Sequence, residues 1–404
     1  MIFTTYWFVL FALAFFPLYW LARPRPVRLG LLLVACFVFH AHFAGAAGVI
    51  PILVLALITY LAGLSRHRWA LVGAMILSVL ALIFYKYTHW LTLDLLASLN
   101  PAWGQRLHDL ARSAQPVTPP VAVSFFTFEF VHYLYDVLKG EPSIRSPAKF
   151  AAFTFFFPSL VAGPIKRYQP FLASLDAGLA HVDVHDVKAG ALRVATGFVK
   201  KVVLADNLTA AIAYWQPHFA ELPLAARWLF CAALGLRILL DFSGYSDMAI
   251  GLAQMAGIRV PENFNWPYAA THLADFWQRW HISLSSWIRD YVYIPLGGNR
   301  HGLARKVANG WIAFGLCGLW HGAAWNFVFW GLYHGAGLAV SGTYRTLLGA
   351  PGRALGAVFD RVPLLAWAVT MLFVFFGWLY FFYPVPAATT MLRLLFTPSL
   401  GSPT

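Results

Sequence analysis

Long, uninterrupted apolar stretches recur along this chain and restrict it to one class of fold. A helix needs about 20 apolar residues to cross the hydrocarbon core of a bilayer. Of the 404 residues, 60% are hydrophobic and 11% are charged, whereas soluble domains carry about 25% charged residues. Because the apolar runs are continuous rather than alternating, we expect helices and not a barrel. The sequence predicts an all-α polytopic membrane protein with about ten to eleven membrane segments. A broken segment at 150–163 is predicted to be re-entrant or partly spanning. The other segments lie at residues 6–22, 29–43, 49–64, 69–87, 120–138, 188–214, 227–255, 310–319, 325–340 and 364–382.

Short basic loops between the apolar runs account for the net charge of +13. Arginines cluster at residues 23–28 and 66–68, and such clusters mark the cytoplasmic side of a membrane protein. We therefore expect the N-terminus and residues 87–119 outside, and the polar stretch 257–309 in the cytoplasm. Membrane lipids, and not nucleic acid, are the expected partner of this charge.

The first apolar run and the cysteines both favour a plain membrane-embedded chain. No basic segment precedes the first run and no small-residue cleavage site follows it, so we expect a first spanning helix rather than a cleaved signal. Cys36, Cys231 and Cys317 lie inside apolar stretches, without the spacing of a metal site or a disulfide framework. We expect them to be small buried hydrophobic side chains.

His321 lies in an almost unbroken apolar stretch, within Trp320-His321-Gly322. An ionisable side chain at membrane depth is costly and commonly functional. We expect this triplet to interrupt a helical hairpin, with Gly322 permitting the break. A neutral imidazole there can accept a proton from a hydroxyl nucleophile. A core histidine hydrogen-bonded to a carbonyl is the alternative that the residues leave open.

His281 stands in a Trp-rich, polar segment at residues 275–290. The spacing predicts one amphipathic helix that lies on, or dips into, the cytoplasmic face. On such a helix His281, Ser285 and Arg289 share one face. This helix either lines a channel or lies at the interface with its long side chains reaching into water.

Two carboxylates, Asp241 and Asp247, follow an apolar run. Charged groups in an apolar setting need partners or solvent. Acid–base chemistry is one reading of this pair. Structural pairing with arginines such as Arg237 or Arg289 is the other.

Two further polar groups precede them in the chain. Lys166 and Arg167 end the broken membrane segment, where they can meet phosphates or anionic lipid headgroups. Glu129, His132 and Asp136 recur at i, i+3 and i+7, which resembles metal-ligand spacing. No cysteine or further carboxylate nearby completes the set, so we predict no metal site.

Six segments of the chain resemble a known family. The chain is similar to the membrane-bound O-acyltransferases, and within them to the bacterial branch that includes alginate O-acetyltransferase. The similarity runs in family order from about residue 120 to 382, and the N-terminal helices fit. The specific motifs are Arg279-Trp-His-Ile-Ser-Leu-Ser, Tyr293-Ile-Pro-Leu-Gly-Gly-Asn-Arg and Leu319-Trp-His-Gly. The matching segments are 157–168, 241–251, 263–268, 275–300, 320–335 and 376–382.

The resemblance implies a fold of helices around a central tunnel. It implies a single domain over residues 1–404, with N-terminal helices at 1–119, a catalytic core at 120–340 and a C-terminal helix and tail at 341–404. The family's essential histidine maps onto His321, and its second polar position maps onto His281.

The resemblance also implies an activity. Family members transfer an acyl group from a cytoplasmic donor to a hydroxyl, so we expect acetyl transfer from a thioester, acetyl-CoA, across a bacterial inner membrane for O-acetylation of an extracytoplasmic polysaccharide such as alginate. The alternatives are D-alanyl or other acyl transfer to a cell-wall polymer, and a transporter of a lipid-linked sugar or small anion. Transporters often show inverted repeats, and none is evident in this sequence.

The expected partners and binding residues complete this reading. We expect no permanently bound cofactor. Beside acyl-CoA, the expected partners are a periplasmic acetyltransferase (SGNH-like) and a polysaccharide export or synthesis complex. The residues expected to bind substrate or acyl donor are Lys166, Arg167, Asp241, Trp280, Ser285, Arg289, Arg300, Trp320 and Asn326.

Overall fold

The computed structural model describes residues 2–115 and 120–397. Within these ranges the chain consists of helices and connecting loops, and no β-strand occurs apart from one isolated bridge between Phe264 and Trp280. A helix satisfies its backbone polar groups internally, as the apolar interior of a membrane requires. The predicted all-α class is confirmed.

Two compact units divide the chain. The first comprises Met1–Phe198 and Tyr245–Pro261, and the second comprises Val199–Gly244 and Glu262–Thr404. The single domain and its three parts, predicted from the sequence, stay a prediction.

Helices of the first unit begin near the N-terminus, and the longest of them is kinked at Gly45, where φ is 64°. Helix Leu224–Met255 contributes its last residues, from Tyr245 onwards, to this unit. The other α-helices are Tyr6–Leu21, Arg25–Ser65, Arg68–Leu82, Ala97–Leu99, Pro101–Ser113, Val123–Leu138, Pro147–Phe155, Tyr168–Ala180 and Val184–Phe198, with π-helices Ile83–Tyr87 and Trp90–Leu96 and 3₁₀-helices Ile2–Thr4 and Phe157–Ser159.

The second unit carries the C-terminal half of the chain. Its α-helices are Asp206–Trp215, the first part of Leu224–Met255, Leu273–Arg279, Ile282–Ile288, Gly302–His321, Trp325–Leu347, Gly349–Arg361, Pro363–Phe382 and Val385–Leu394. Its other helical turns are the π-helices Val199–Ala205 and Arg289–Tyr293 and the 3₁₀-helices Gln216–His218 and Pro267–Ala269.

Four helices in the described residues are long and apolar enough to cross a membrane: Arg25–Gly45, Ala47–Ser65, Arg68–Tyr87 and Pro363–Phe382. The predicted count of ten to eleven membrane segments is not confirmed. Most of the other predicted segments are helical, but they are shorter or carry charges, as Leu224–Met255 does. Polar side chains on a membrane helix face protein rather than lipid, and they lower the apolar content that a length rule counts.

The three cysteines lie where the sequence places them. Cys36, Cys231 and Cys317 are free and buried, which confirms the prediction of small buried hydrophobic side chains.

Candidate active site

His281 lies between helices Leu273–Arg279 and Ile282–Ile288 and belongs to neither. The preceding residue, Trp280, has an extended backbone with φ −98° and ψ 128° and forms the antiparallel bridge with Phe264. This bridge replaces the hydrogen bonding that would continue a helix, and the chain turns at His281.

One continuous amphipathic helix over residues 275–290 is therefore a wrong prediction. His281, Ser285 and Arg289 do not share a helical face, because His281 has φ 44° and ψ 53°. This left-handed conformation costs a residue other than glycine about 1–2 kcal/mol. Backbone strain of this kind persists only where surrounding contacts impose it, and it clusters at functional sites.

Asn263 imposes the turn on His281. Its side-chain Oδ1 accepts hydrogen bonds from the hydroxyl (2.8 Å) and the amide (3.3 Å) of Ser283. Its backbone carbonyl accepts a third from the amide of Ile282 (2.9 Å). Asn263 is fully buried, and hydrogen bonds shielded from water are stronger than exposed ones. The two residues after His281 are thus held by one asparagine.

His321 is the last residue of helix Gly302–His321, and helix Trp325–Leu347 runs back along it. We call these two helices the histidine hairpin. Gly318 and Gly331 face each other across it, and a Cβ at Gly318 would meet the Phe327 carbonyl and the Gly331 Cα. Small residues allow such close helix contact in membranes. The predicted break of a helical hairpin at His321 is confirmed.

One hydrogen bond orients the imidazole of His321. Its Nδ1 lies 2.7 Å from the carbonyl oxygen of Cys317, one turn earlier in the helix. A carbonyl oxygen only accepts, so Nδ1 carries the proton. In the neutral ring the lone pair is then on Nε2, which is the arrangement that a general base needs.

The structure brings the two predicted catalytic histidines together. The ring centroids of His281 and His321 are 6.4 Å apart, with the ring planes at 73°. Trp320 lies against both, 5.8 Å from His281 and 4.8 Å from His321, and Phe242 lies 4.6 Å from His281 on another side.

The surroundings of His281 keep it neutral. Burial and, secondarily, the neighbouring His321 hold the pKa of His281 well below that of a free imidazole. Neither of its ring nitrogens has a hydrogen-bond partner among the described residues. Buried polar groups are nearly always paired, and each exception calls for a reason. A neutral imidazole with an unused N–H can donate a hydrogen bond to a substrate oxygen.

Aromatic rings enclose His321. Trp330 lies 5.0 Å and Phe381 5.5 Å from its ring, between centroids. The side chain of Asn326 donates to the Phe381 carbonyl (3.1 Å). The contact recorded for Asn326, predicted to bind substrate, is thus with the backbone of helix Pro363–Phe382, and its role toward a substrate stays a prediction.

A third histidine, His334, lies behind Trp330. Its ring is 5.0 Å from that of Trp330, and its Nδ1 accepts a hydrogen bond from Trp277 Nε1 (3.4 Å). His334 is fully buried. The sequence reading missed it, although a second histidine in the same apolar run was a usable signal.

Asp241 and Asp247 are both in ion pairs, but neither lies with the arginines named from the sequence. Asp241 pairs with Lys201 (2.6 Å), and Asp247 pairs with Arg193 (3.1 Å). Arg237 instead donates to a threonine hydroxyl and lies over the ring of Phe382. A structural role for both carboxylates is supported. Asp247 pairs with an arginine, as predicted, although not with Arg237 or Arg289, whereas the arginine partner predicted for Asp241 is wrong.

Lys166 and Arg167 belong to the first unit, whereas His281 and His321 belong to the second. Lys166 is 1% exposed, forms an ion pair with Glu129 and lies over Phe153 (5.1 Å from Nζ to the centroid). The predicted roles of Lys166 and Arg167 toward a phosphate stay predictions. Two of the residues with metal-like spacing also have protein partners: Glu129 in this pair, and His132 at the Phe128 carbonyl.

A cavity of about 470 Å³ lies beside the histidine hairpin. Cys317, whose carbonyl orients His321, is part of its lining, and so is Ser285. Two cations line it as well: Lys306, which is half-buried, and Arg289, which pairs with Asp290 (2.8 Å). The cavity is otherwise mostly apolar.

The remaining predicted binding residues have different surroundings. Trp280 is buried among aromatic rings, 4.8 Å from Trp378. The Ser285 hydroxyl donates to the Trp280 carbonyl (3.1 Å). Arg300 is exposed and follows Gly297 and Gly298, whose φ values of 109° and 58° form a tight turn.

Sequence reasoning missed three residues near the site: His334, Asn263 and Lys306. Asn263 lies in a motif segment but gained no role there, because its bonds to Ser283 join residues twenty positions apart. Lys306 sits in the first turns of an otherwise apolar helix, and no sequence signal separates it from the basic residues beside it.

Comparison with known proteins gives a consistent picture. Residues 33–383 match the model of MBOAT, the membrane-bound O-acyltransferase family. The chain is 36% identical over 392 residues to a probable alginate O-acetylase of Pseudomonas aeruginosa, covering 92% of this chain and 70% of that protein. It is 32% identical over 343 residues to a peptidoglycan O-acetyltransferase of Helicobacter pylori (78% and 62%). It is 28% identical over 254 residues to a teichoic acid D-alanyltransferase of Bacillus subtilis (59% and 64%).

The match extends over most of the chain and includes both histidines. The relatives are named as acyltransferases, and two neighbouring imidazoles have proton-accepting and proton-donating atoms of the kind that acyl transfer uses. The resemblance seen in the motifs is confirmed: this protein is a membrane O-acyltransferase, and the chain belongs to the membrane-bound O-acyltransferase family.

Proposed function

We propose that this protein moves an acetyl group from a cytoplasmic thioester donor, acetyl-CoA, across the bacterial inner membrane for O-acetylation of an extracytoplasmic polysaccharide such as alginate. The juxtaposition of His321 and His281 carries this proposal. One imidazole has its tautomer set by a carbonyl, and the other is neutral, buried and without a hydrogen-bond partner in the described residues. Similarity to a probable alginate O-acetylase supports the choice of acetyl group and polysaccharide.

His321 acts as the general base in this scheme. Its Nε2 takes the proton from an acceptor hydroxyl while that oxygen attacks the thioester carbonyl carbon. The tetrahedral intermediate collapses, the C–S bond breaks, and the imidazolium returns the proton to the leaving thiolate. Positioned proton transfer of this kind contributes about 10²–10⁴-fold to the rate.

His281 stabilises the intermediate. A ring N–H without another partner can donate to the oxygen on which negative charge develops. A preorganised donor in a water-excluded site contributes about 10²–10³-fold. The hydrogen bonds of Asn263 hold the strained backbone at His281, and so keep this donor in place before the substrate arrives.

The cavity beside the histidine hairpin is the proposed donor site. Its apolar lining suits the pantetheine arm, and Lys306 and Arg289 offer cations for the phosphates of CoA. Arg300 stays a further candidate on the cytoplasmic loop. Acetyl-CoA is charged and does not cross a bilayer, so a site that admits only its acyl arm would separate the two compartments. A periplasmic acetyltransferase would then complete the transfer.

His321→Ala is the decisive variant. We expect it to lower acetylation of the polysaccharide by at least about 10²-fold while the protein remains folded in the membrane. The assay supplies acetyl-labelled acetyl-CoA to inverted vesicles that contain the partner proteins, and it measures labelled polysaccharide and released CoA. His218→Ala, at an exposed histidine of the same unit, is the matched control. Full acetylation by a folded His321→Ala protein would refute the proposal.

Charge removal tests the donor site. We expect Lys306→Ala and Arg289→Ala to raise KM for acetyl-CoA with little change in kcat, because they bind ground state and transition state alike. Arg353→Ala removes an exposed cation of the second unit that does not line the cavity, and it should leave KM unchanged. If KM for acetyl-CoA in all three variants equals that of the wild type, this cavity is not the donor site.

D-alanyl transfer to a cell-wall polymer is the weaker alternative. It is supported by similarity to a D-alanyltransferase that covers 59% of this chain. Offering labelled acetyl and D-alanyl thioesters to the same vesicles distinguishes the two activities. A transporter, in contrast, would release no free CoA.

A further inference from the structure

A second cavity, of about 1070 Å³, lies among three consecutive helices of the second unit. These are Trp325–Leu347, Gly349–Arg361 and Pro363–Phe382. The volume is at the upper end of the roughly 300–1,000 Å³ typical of small-molecule sites. Neither His281 nor His321 lines this cavity, so the proposed acyl transfer does not use it.

Most of the cavity lining is apolar. Helix Pro363–Phe382 contributes residues 363, 366, 369, 370 and 373, and the spacing of 363, 366, 370 and 373 places them on one face. Ten residues of helix extend about 15 Å. This helix is one of the four with the length and apolar content of a membrane span, so we expect the cavity beside hydrocarbon rather than water.

The cavity lining includes an ion pair. Arg345 and Asp360 both line it, and they form a two-fold hydrogen-bonded ion pair, with Nη1 to Oδ2 at 3.0 Å and Nη2 to Oδ1 at 2.7 Å. The Arg345 Nε donates to the Tyr344 hydroxyl (3.0 Å), and Nη2 also donates to the Gly356 carbonyl (3.3 Å). The two side chains are 48% and 62% exposed.

Both members of this pair have capacity left for a ligand. A guanidinium has five N–H donors and a carboxylate about four acceptor sites. The bonds above use four donors of Arg345 and two acceptor sites of Asp360. The hydrogen bond from Arg345 also lowers the pKa of the Asp360 carboxyl, so both charges are present at neutral pH.

We propose that this cavity binds one membrane phospholipid whose headgroup carries both a phosphate and a primary ammonium, as phosphatidylethanolamine does. An acyl chain lies along the face of Pro363–Phe382. The phosphate accepts the remaining Nη1–H of Arg345, and the ammonium donates to Asp360.

Charge complementarity selects this occupant over other lipids. An anionic headgroup would meet the Asp360 carboxylate without an ammonium to balance it. A choline headgroup has the positive charge but no N–H to donate. The site thus presents one cation and one anion side by side, and a zwitterion with N–H donors matches both.

Lipid competition tests the site without requiring acyl transfer. The purified full-length protein is reconstituted with equal amounts of phosphatidylethanolamine, phosphatidylcholine and phosphatidylglycerol that share the same acyl chains. After detergent washing, the retained lipid is identified by native mass spectrometry. We expect phosphatidylethanolamine to be retained about tenfold over the other two, which corresponds to one charge-assisted hydrogen bond.

Two variants separate the headgroup from the acyl chain. Asp360→Asn should abolish the preference, and Ala336→Phe, which narrows the cavity, should lower retention of all three lipids. Asp176→Asn, at an exposed carboxylate paired with Lys149 in the first unit, should behave as wild type. If Ala336→Phe does not fold, Val340→Trp narrows the same cavity from a 66% exposed position.

Four results would overturn the proposal. The first is equal retention of phosphatidylethanolamine and phosphatidylcholine by the wild-type protein. The second is a preference for phosphatidylglycerol, which would make Arg345 alone the headgroup site. The third is an unchanged preference in Asp360→Asn, and the fourth is unchanged retention in a folded variant with a narrowed cavity.

Discussion

His281 combines two costs that proteins usually avoid. Its backbone is left-handed, and both ring nitrogens lack a hydrogen-bond partner among the described residues. Either cost alone is of the order of 1–3 kcal/mol. Their coincidence on one residue, 6.4 Å from His321, supports the role toward a substrate that we propose for this imidazole.

Substitution at His281 should separate the effect of backbone strain from the effect of losing the imidazole. Glycine adopts positive φ freely, so we expect His281→Gly to be more stable than His281→Ala by about 1 kcal/mol. Both variants should lose acetylation by about 10²–10³-fold, because each lacks the donor. Thermal unfolding in detergent and the vesicle assay measure the two effects. An alanine variant as stable as the glycine variant would show that the backbone is not strained, and an active one would remove His281 from the mechanism.

Close contact between two glycines of the histidine hairpin fixes the position of His321. Helices Gly302–His321 and Trp325–Leu347 meet so closely at Gly318 and Gly331 that each Cβ would clash with the backbone opposite. The distance between the two helices therefore determines the position of His321, which ends the first of them. Nothing comparable restricts Gly310, whose Cβ would meet no atom within 4 Å.

This contrast gives a matched pair of substitutions in one helix. Gly318→Ala should force the helices apart, destabilise the protein by about 1–3 kcal/mol and lower the acetylation rate because His321 shifts. Gly310→Ala should instead stabilise it by about 0.5–1 kcal/mol, since alanine loses less chain entropy in a helix. Unfolding curves are compared for both, and rates only for Gly318→Ala and the wild type, because Gly310 lines the proposed donor cavity. Equal effects of the two changes would contradict the role given to the Gly318 contact.

The placement of basic residues along the whole chain predicts its orientation in the membrane. Loops rich in arginine are expected inside, which puts residues 257–309 in the cytoplasm and residues 87–119 outside. The proposed direction of acyl transfer depends on this orientation, since the loop that bears Arg300 must meet a cytoplasmic donor.

Cysteine labelling measures the orientation directly. We expect a membrane-impermeant maleimide to label Ser98→Cys, but not Arg300→Cys, in intact spheroplasts, and to show the reverse in inverted vesicles. The native cysteines are buried, so the wild-type protein serves as the unlabelled control. Labelling of Arg300→Cys from outside would reverse the assigned orientation and exclude a donor at that loop.

Sequence reasoning recovered the helical class and the break after His321, because each leaves a local signal in hydropathy or in a motif. The catalytic roles of His281 and His321 stay predictions. Sequence reasoning failed where distant residues decide. No proline or glycine marks the break at Trp280 and His281, which results from pairing with Phe264 and Asn263. The partner of Asp241 is Lys201, forty residues away. Such pairings depend on tertiary contacts that a single sequence does not encode in readable form.

The bonds that frame the two histidines have a consequence for the timing of synthesis. Those of Asn263 and Cys317 join residues between 263 and 321, and the hairpin is complete at residue 347. Trp378 and Phe381, which pack against this region, are added about thirty residues later, within a few seconds at about 5–20 residues per second. A nascent chain can therefore form the hydrogen bonds around both histidines first and gain the aromatic rings of helix Pro363–Phe382 afterwards, when that helix inserts.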